Sequence, residues 1–190
     1  MNAPAKILLS LAVVALVQTG VLAAMVIDRT RLLASGREIT LPIVPVDPRD
    51  LFRGEYVRLG YDIGRVPGRL LEGPPPRQNA AFYVVIEKRP DGTWAPVKVS
   101  RTMPQETSPD RIALKARSTF RWTSLSSPSA IHQVRYGIES YFVAEGQGKR
   151  LENLAREKRM AALVAVDAKG NAAIKGLIID GQLQYEEPLF

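Results

Sequence analysis

The side chains best suited by type and spacing to do chemistry cluster at residues 47–61, DPRDLFRGEYVRLGY. Asp47, Asp50 and Glu55 alternate there with Arg49, Arg53 and Arg58, and Tyr56 and Tyr61 accompany the second half. Closely spaced acids and guanidinium groups can pair with each other, hold a charged ligand, or set a proton donor beside an acceptor. A second cluster, RYGIESYFVAEGQG at residues 135–148, adds Tyr136, Glu139 and Glu145. If the clusters meet in space, Glu139 or Glu145 can pair with Arg49, Arg53 or Arg58, an arrangement that holds shape and is weak evidence of function. The binding candidates are therefore Asp47, Arg49, Asp50, Arg53, Glu55, Tyr56, Tyr61, Tyr136, Glu139 and Glu145. A plainer reading is favoured over ligand binding. Aspartates in turns usually bond to their own backbone, so Asp47 and Asp50 cap amides and pair with arginines while the tyrosines pack.

Catalytic sets are poorly represented, and no catalytic residue is assigned. His132 is the only histidine, no G-x-S-x-G elbow surrounds any serine, and the lone ring reads as an ordinary strand residue. A Ser–Lys pair would suit an anchored β-rich peptidase, with Lys98, Lys115 and Lys175 near Ser100, Ser118 and Ser140, yet no spacing marks a nucleophile with its base. Paired carboxylates for glycoside hydrolysis stay open without geometry. Asp47, Asp50, Glu55 and Glu145 lack EF-hand spacing, so no metal is assigned. Cysteine is absent, which removes disulfides, thiol catalysis and Cys-ligated centres. Walker and Rossmann glycine loops are absent too, and no cofactor is expected.

The segment GEYVRLGY, Gly54–Tyr61, resembles the signature of the GDYXXLXY family, with Glu55 where the family carries Asp. VDPRDLFRG upstream, RYGIESYFVAEGQG, and VDAKGNAAIKGLIIDG at residues 166–181 resemble the family's other blocks, although Ala144 stands where proline is expected. The likeness covers most of residues 40–181 in scattered blocks. It implies a bacterial protein with a single amino-terminal anchor, a periplasmic domain, association with multi-pass membrane proteins, and no stated reaction.

These clusters need elements to hold them, and the first is apolar. The 21 residues from Ile7 to Ile27 carry no charge, and at 1.5 Å per residue a helix of that length spans about 32 Å, enough for a bilayer core. A signal peptide cleaved near Val21–Ala24 and a buried core helix are the rival readings; the run exceeds an ordinary h-region. Lys6 lies before the span and Arg29, Arg31 and Arg37 after it, so charge alone leaves the orientation open. The sequence divides into an anchor with a short extension, residues 1–36, and a β-rich domain, residues 37–190. A net charge of +7 suits anionic headgroups, and nothing resembles a nucleic-acid motif.

Beyond Gly36 the pattern is extended. Ile39–Val44, with Pro42 within it and Pro45 after it, reads as an edge or irregular strand. Gly54 opens a strand over Glu55–Ile63, with Val57, Leu59 and Tyr61 facing the core and Tyr56, Arg58 and Asp62 facing away. Hairpins are expected at Phe82–Glu87/Trp94–Val99 around Asp91-Gly92, and at Ala162–Val166/Ala173–Ile179 around residues 167–171. Shorter strands are read at Arg111–Ala116, Ser118–Thr123 and Ile131–Tyr136, and Ile138, Tyr141, Phe142 and Val143 are expected to bury. One helix is read over Gly148–Arg159, with Leu151 and Leu154 on the packed face and Glu152 pairing with Arg156. The fold class is mainly β with one or two short helices, an antiparallel sandwich or open barrel, preceded by a transmembrane helix.

Three functions fit this layout. The first is a single-pass protein of the inner (cytoplasmic) membrane whose extracytoplasmic β-rich domain binds or assembles with a membrane partner. The second is an anchored envelope hydrolase using acids of the two motif blocks. The third is a secreted soluble domain released by signal cleavage.

Overall fold

In the computed structural model, residues 3–35, 37–45, 56–72, 76, 79–105, 108–118, 130–143 and 146–186 are described. The apolar leader forms one unbroken helix, α1, Ala3–Ser35. Its described side chains are exposed along the apolar run, and the helix has no polar face. Among the described residues of α1 only Leu33 is buried, at 4 % exposure, where the helix packs against two strands of the domain.

Those strands are β9, Met160–Val166, and β10, Ala172–Ile179, the second expected hairpin. They are the centre of a four-stranded antiparallel sheet flanked by β1, Arg37–Pro42, and β11, Gln182–Glu186, in the order β1-β9-β10-β11. The prolines in and after β1 are tolerated because it is an edge strand, pairing only with β9 from Arg37↔Val166 to Pro42↔Ala161. A second, five-stranded sheet runs β3-β7-β6-β4-β5. Its members are β3, Arg65–Pro67; β4, Ala81–Lys88; β5, Trp94–Ser100; β6, Arg111–Ser118; and β7, Ile131–Arg135. The β4–β5 turn closes as Asp91-Gly92 predicts: Gly92 takes φ +83, and the Asp91 carboxylate accepts from the Thr93 amide and hydroxyl. A two-stranded ribbon joins β2, Tyr56–Arg58, to β8, Ser140–Phe142.

All three sheets feed one core. Ile39 and Leu41 of β1, Val164 and Ile174 of the β9–β10 hairpin, Phe82 and Val84 of β4, Leu114 of β6 and Val57 of β2 belong to a single buried cluster. The outer helix α2, Gly148–Arg156, closes one side with Leu151 fully buried and Leu154 packed against the cluster. The hairpin tip reaches across to the five-stranded sheet, where the Gly170 carbonyl accepts the Lys115 amide at 2.7 Å. Gly170 sits at φ +78, and a Cβ there would lie 2.8 Å from the Ala113 carbonyl oxygen, so glycine alone permits this approach.

Several expectations need correction. The strand read over Glu55–Ile63 is shorter: after β2 the chain makes a single bridge from Gly60 to Val44 and a 3-10 turn at Asp62–Gly64. Tyr61 and Ile63 are both buried on either side of Asp62, the inward placement of Tyr61 being kept although the strand is not. Phe142, expected to bury, is 77 % exposed because β8 is an edge of the ribbon and Tyr141 takes the inward side. The helix ends at Arg156 rather than Arg159. Lys158 adopts φ +57, and Arg159 turns away to bond Asp180 through two nitrogens at 2.7 and 2.6 Å. Ion pairs among the described residues do not include Glu152 with Arg156. Strands β3, β8 and β11 have no counterpart in the pattern reading. The turn at Asp47–Asp50, Gly36 and most of Ser118–Thr123 lie outside the described residues.

Candidate functional site

The two motif clusters lie side by side. In the ribbon Tyr56 faces Phe142, Val57 faces Tyr141 and Arg58 faces Ser140; just beyond it the Leu59 amide donates to the Glu139 carbonyl at 3.0 Å. Two tyrosines then cross the seam in opposite directions. The Tyr61 hydroxyl donates to the Ile138 carbonyl at 2.9 Å, and the Tyr136 hydroxyl donates to the Ile63 carbonyl at 2.7 Å. Each cluster thus satisfies a buried carbonyl of the other, the usual requirement when phenols and amides leave water. Burial raises the pKa of both phenols well above the ordinary tyrosine value, and the nearby Glu139 charge adds to it. Neither group is a proton carrier near neutral pH.

Glu139 shapes the turn between the tyrosines. Its carboxylate accepts the Tyr136 amide at 2.6 Å and the Gly137 amide at 3.0 Å, while Gly137 takes φ +86. This differs from the expected pairing with an arginine: both carboxylate oxygens bond the chain's own backbone, as side chains in turns commonly do. Of the binding candidates from the sequence, Tyr61 and Tyr136 therefore hold the seam together and Glu139 fixes the turn beside it. Asp47, Arg49, Asp50, Arg53, Glu55 and Glu145 lie outside the described residues, and Tyr56 enters only through its place in β2.

Two clefts of about 570 and 550 Å³ flank this seam and share Arg135, Tyr136, Glu139 and Ser140 as a common wall. The first takes its charge from Arg58, Arg65 and Arg135, with Asp62 and Glu139 opposing them. The second takes it from Lys115, Arg117 and Arg135, with Glu139 the one acid among its described lining residues. Strand geometry explains the gathering. Arg117 of β6 stands directly opposite Arg135 of β7, and Gln133, two residues from Arg135 and so on its face, stands opposite Arg65 of β3. Val134, Leu114 and Ala116 take the other face into the core.

Arg58 and Asp62, read as sharing the outward face of the first cluster, do line one cleft. Arg65 and Arg117 were missed by sequence reasoning. Their signal was the alternation Lys115-x-Arg117 and Gln133-x-Arg135 in strands whose intervening residues are apolar or small, a pattern that also describes any solvated face. Of the Ser–Lys candidates, Lys98 pairs with Glu72 and Lys175 with Glu38. Lys115, Ser118 and Ser140 line the same cleft, with no hydrogen bond between Lys115 and Ser140, and Ser118 is itself buried. His132 is a half-buried strand residue opposite Val66, its pKa lowered by burial. No group of three metal-ligating side chains occurs among the described residues.

Set against known families, residues 18–177 match the GDYXXLXY protein family, and the chain belongs to it. The match begins inside the apolar helix and ends in β10, so it takes in the second half of that helix and most of the β-rich domain. No curated protein and no solved structure matches the chain. The segment Leu9–Ala34 is long and apolar enough to cross a membrane, which is compatible with anchoring and also with a signal sequence.

Proposed function

We propose that this GDYXXLXY-family chain is a single-pass protein of the inner membrane whose β-rich domain lies on the periplasmic side and serves as a binding or assembly module for an integral membrane partner. One observation carries the reading: α1 does not end in a flexible tether but runs unbroken to Ser35 and buries Leu33 against the domain. A module joined this way keeps a fixed pose relative to the bilayer, which suits presentation of one surface to a neighbour in the same membrane. Cleavage near Val21–Ala24 would instead leave about three to four turns of helix attached to the sheet, a length marginal by itself but held by Leu33.

Gentle detergent solubilisation followed by affinity capture of the full chain is expected to recover a stoichiometric multi-pass partner. Recovery of the protein alone across several detergents removes the proposal. Mass measurement of the mature amino terminus separates anchor from leader, the intact residues 1–35 being the expected result.

A second reading, an anchored envelope hydrolase, is favoured by one fact, that Lys115 and Ser140 share a cleft. Labelling by a fluorophosphonate that Ser140→Ala abolishes would support it; absence of labelling in the folded protein sets it aside.

A further inference from the structure

We infer that the paired clefts beside the seam form a binding site for a phosphate-bearing anion, held by Arg58, Arg65, Lys115, Arg117 and Arg135. Arg117 and Arg135 are directly opposed in the antiparallel β6–β7 ladder. Side chains in that relation stand about 5 Å apart at Cβ, and like charges there destabilise the sheet. None of the five cations forms an ion pair with a described acid, although five ion pairs between other residues are present among the described part of the chain. The one acid on their shared wall, Glu139, already accepts two backbone amides. The fold thus gathers five cations around two concavities against two described acids, Asp62 and Glu139, an excess of positive charge among the described lining residues that favours an anion.

The chemistry of the ligand follows from the donors. Four of the five are arginines, whose planar forks meet phosphate oxygens in pairs, and a doubly charged group gains more from several guanidinium groups than a monocarboxylate does. Two clefts of about 570 and 550 Å³ sharing one wall have room for a group with two charged ends rather than a single oxyanion. Such an anion could be a soluble phosphate ester or a lipid headgroup. The site needs no protein partner, so failure of the capture experiment leaves it standing, and its own failure leaves the assembly role untouched.

The test uses the full chain in phosphatidylcholine nanodiscs, with pyrophosphate as probe and sodium chloride at matched ionic strength as reference. Titration calorimetry is expected to show saturable binding, and the thermal midpoint is expected to rise with pyrophosphate. Arg117→Gln/Arg135→Gln should bind at least about tenfold more weakly. The same variant should unfold at or above the wild-type midpoint without ligand, because the opposed charges are gone, and should show no rise with pyrophosphate. Arg111→Gln, which removes the Glu87 partner on the same strand outside the clefts, should bind as wild type does. Replacing part of the lipid by phosphatidylglycerol distinguishes the sources. If it raises the wild-type midpoint and blunts the pyrophosphate effect, the ligand is a headgroup; if pyrophosphate acts unchanged, it is a soluble ester. Absence of saturable binding by wild type, equal binding by the double variant, or equal loss in Arg111→Gln overturns the inference.

Discussion

The crossed tyrosines make the sharpest stability prediction. Tyr61→Phe and Tyr136→Phe keep the buried rings and remove only the hydroxyls, leaving the Ile138 and Ile63 carbonyls without those donors at 2.9 and 2.7 Å. A buried acceptor left in this way costs about 1–2 kcal/mol, and for a domain of this size each kcal/mol lowers the thermal midpoint by roughly 2–4 °C. Both bonds close the same seam, so the double variant should depart from additivity by about 0.5 kcal/mol or more. The pH dependence supplies a second readout with a fixed sign. Both phenols have raised pKa values in the fold, so between pH 10 and the folded value the native state binds more protons than the unfolded chain. Stability contributed by neutral burial is complete below pH 10 and declines as pH rises beyond it, by up to about 1.4 kcal/mol per pH unit for each group. The phenylalanine variants should lose that part of the alkaline decline. Urea unfolding followed by circular dichroism, on full chain in detergent at pH 7 and at intervals above pH 9.5, measures both effects. Single variants within about 0.3 kcal/mol of wild type at pH 7, or an alkaline limb unchanged in the double variant, refute the lock.

Three further changes probe the elements around the seam. Gly170→Ala forces a side chain into φ +78 and sets its Cβ 2.8 Å from the Ala113 carbonyl, so a loss of about 2 kcal/mol or more is expected by urea unfolding, with the hairpin tip lifting from β6. Glu139→Ala strands two amide donors and should cost about 1–2 kcal/mol by the same measurement, whereas Glu139→Gln retains one acceptor oxygen and should cost about half as much. Leu33→Ala should lower stability by about 2–3 kcal/mol and speed proteolysis at the α1–β1 junction, because it empties the one buried position of the described helix; an unchanged cleavage rate speaks against a rigid junction.

Local chemistry made much of this fold readable. The Asp91-Gly92 turn, the hairpin at residues 167–171, the prolines that mark β1 as an edge, and the inward set Val57, Leu59 and Tyr61 all follow from period and turn type, and the structure keeps each of them. What escaped was decided by partners distant in sequence. Phe142 looks like a core residue until β8 is known to pair only with β2 and to lie at an edge. The inward side of Tyr61 is readable, but the acceptors of Tyr61 and Tyr136 are not, being carbonyls 77 and 73 residues away. Glu139 was matched with arginine because opposite charges are the obvious partners, yet two amides of its own turn were nearer.

The same contrast bears on where activity should be sought. A recurring sequence signature invites the assumption that its polar letters touch a ligand. In this chain Tyr61, the last letter of the first block, and Tyr136 of the second are occupied in bonding across the seam, and Glu139 in bonding the amides of its own turn. Side chains so occupied keep their protons and geometry for the fold, and a variant there would abolish function by loosening the seam whatever the ligand were. The cations around the seam are under the opposite constraint. Arg65, Lys115 and Arg117 lie outside the first two blocks, contribute no described ion pair, and in the case of Arg117 oppose Arg135 at the expense of sheet stability. Groups whose removal should leave the fold intact or firmer, yet which line a concavity together, are better probes of function than the signature itself. Losing activity in Arg117→Gln at unchanged or raised stability would therefore locate the working surface, whereas losing it in Tyr61→Phe would not.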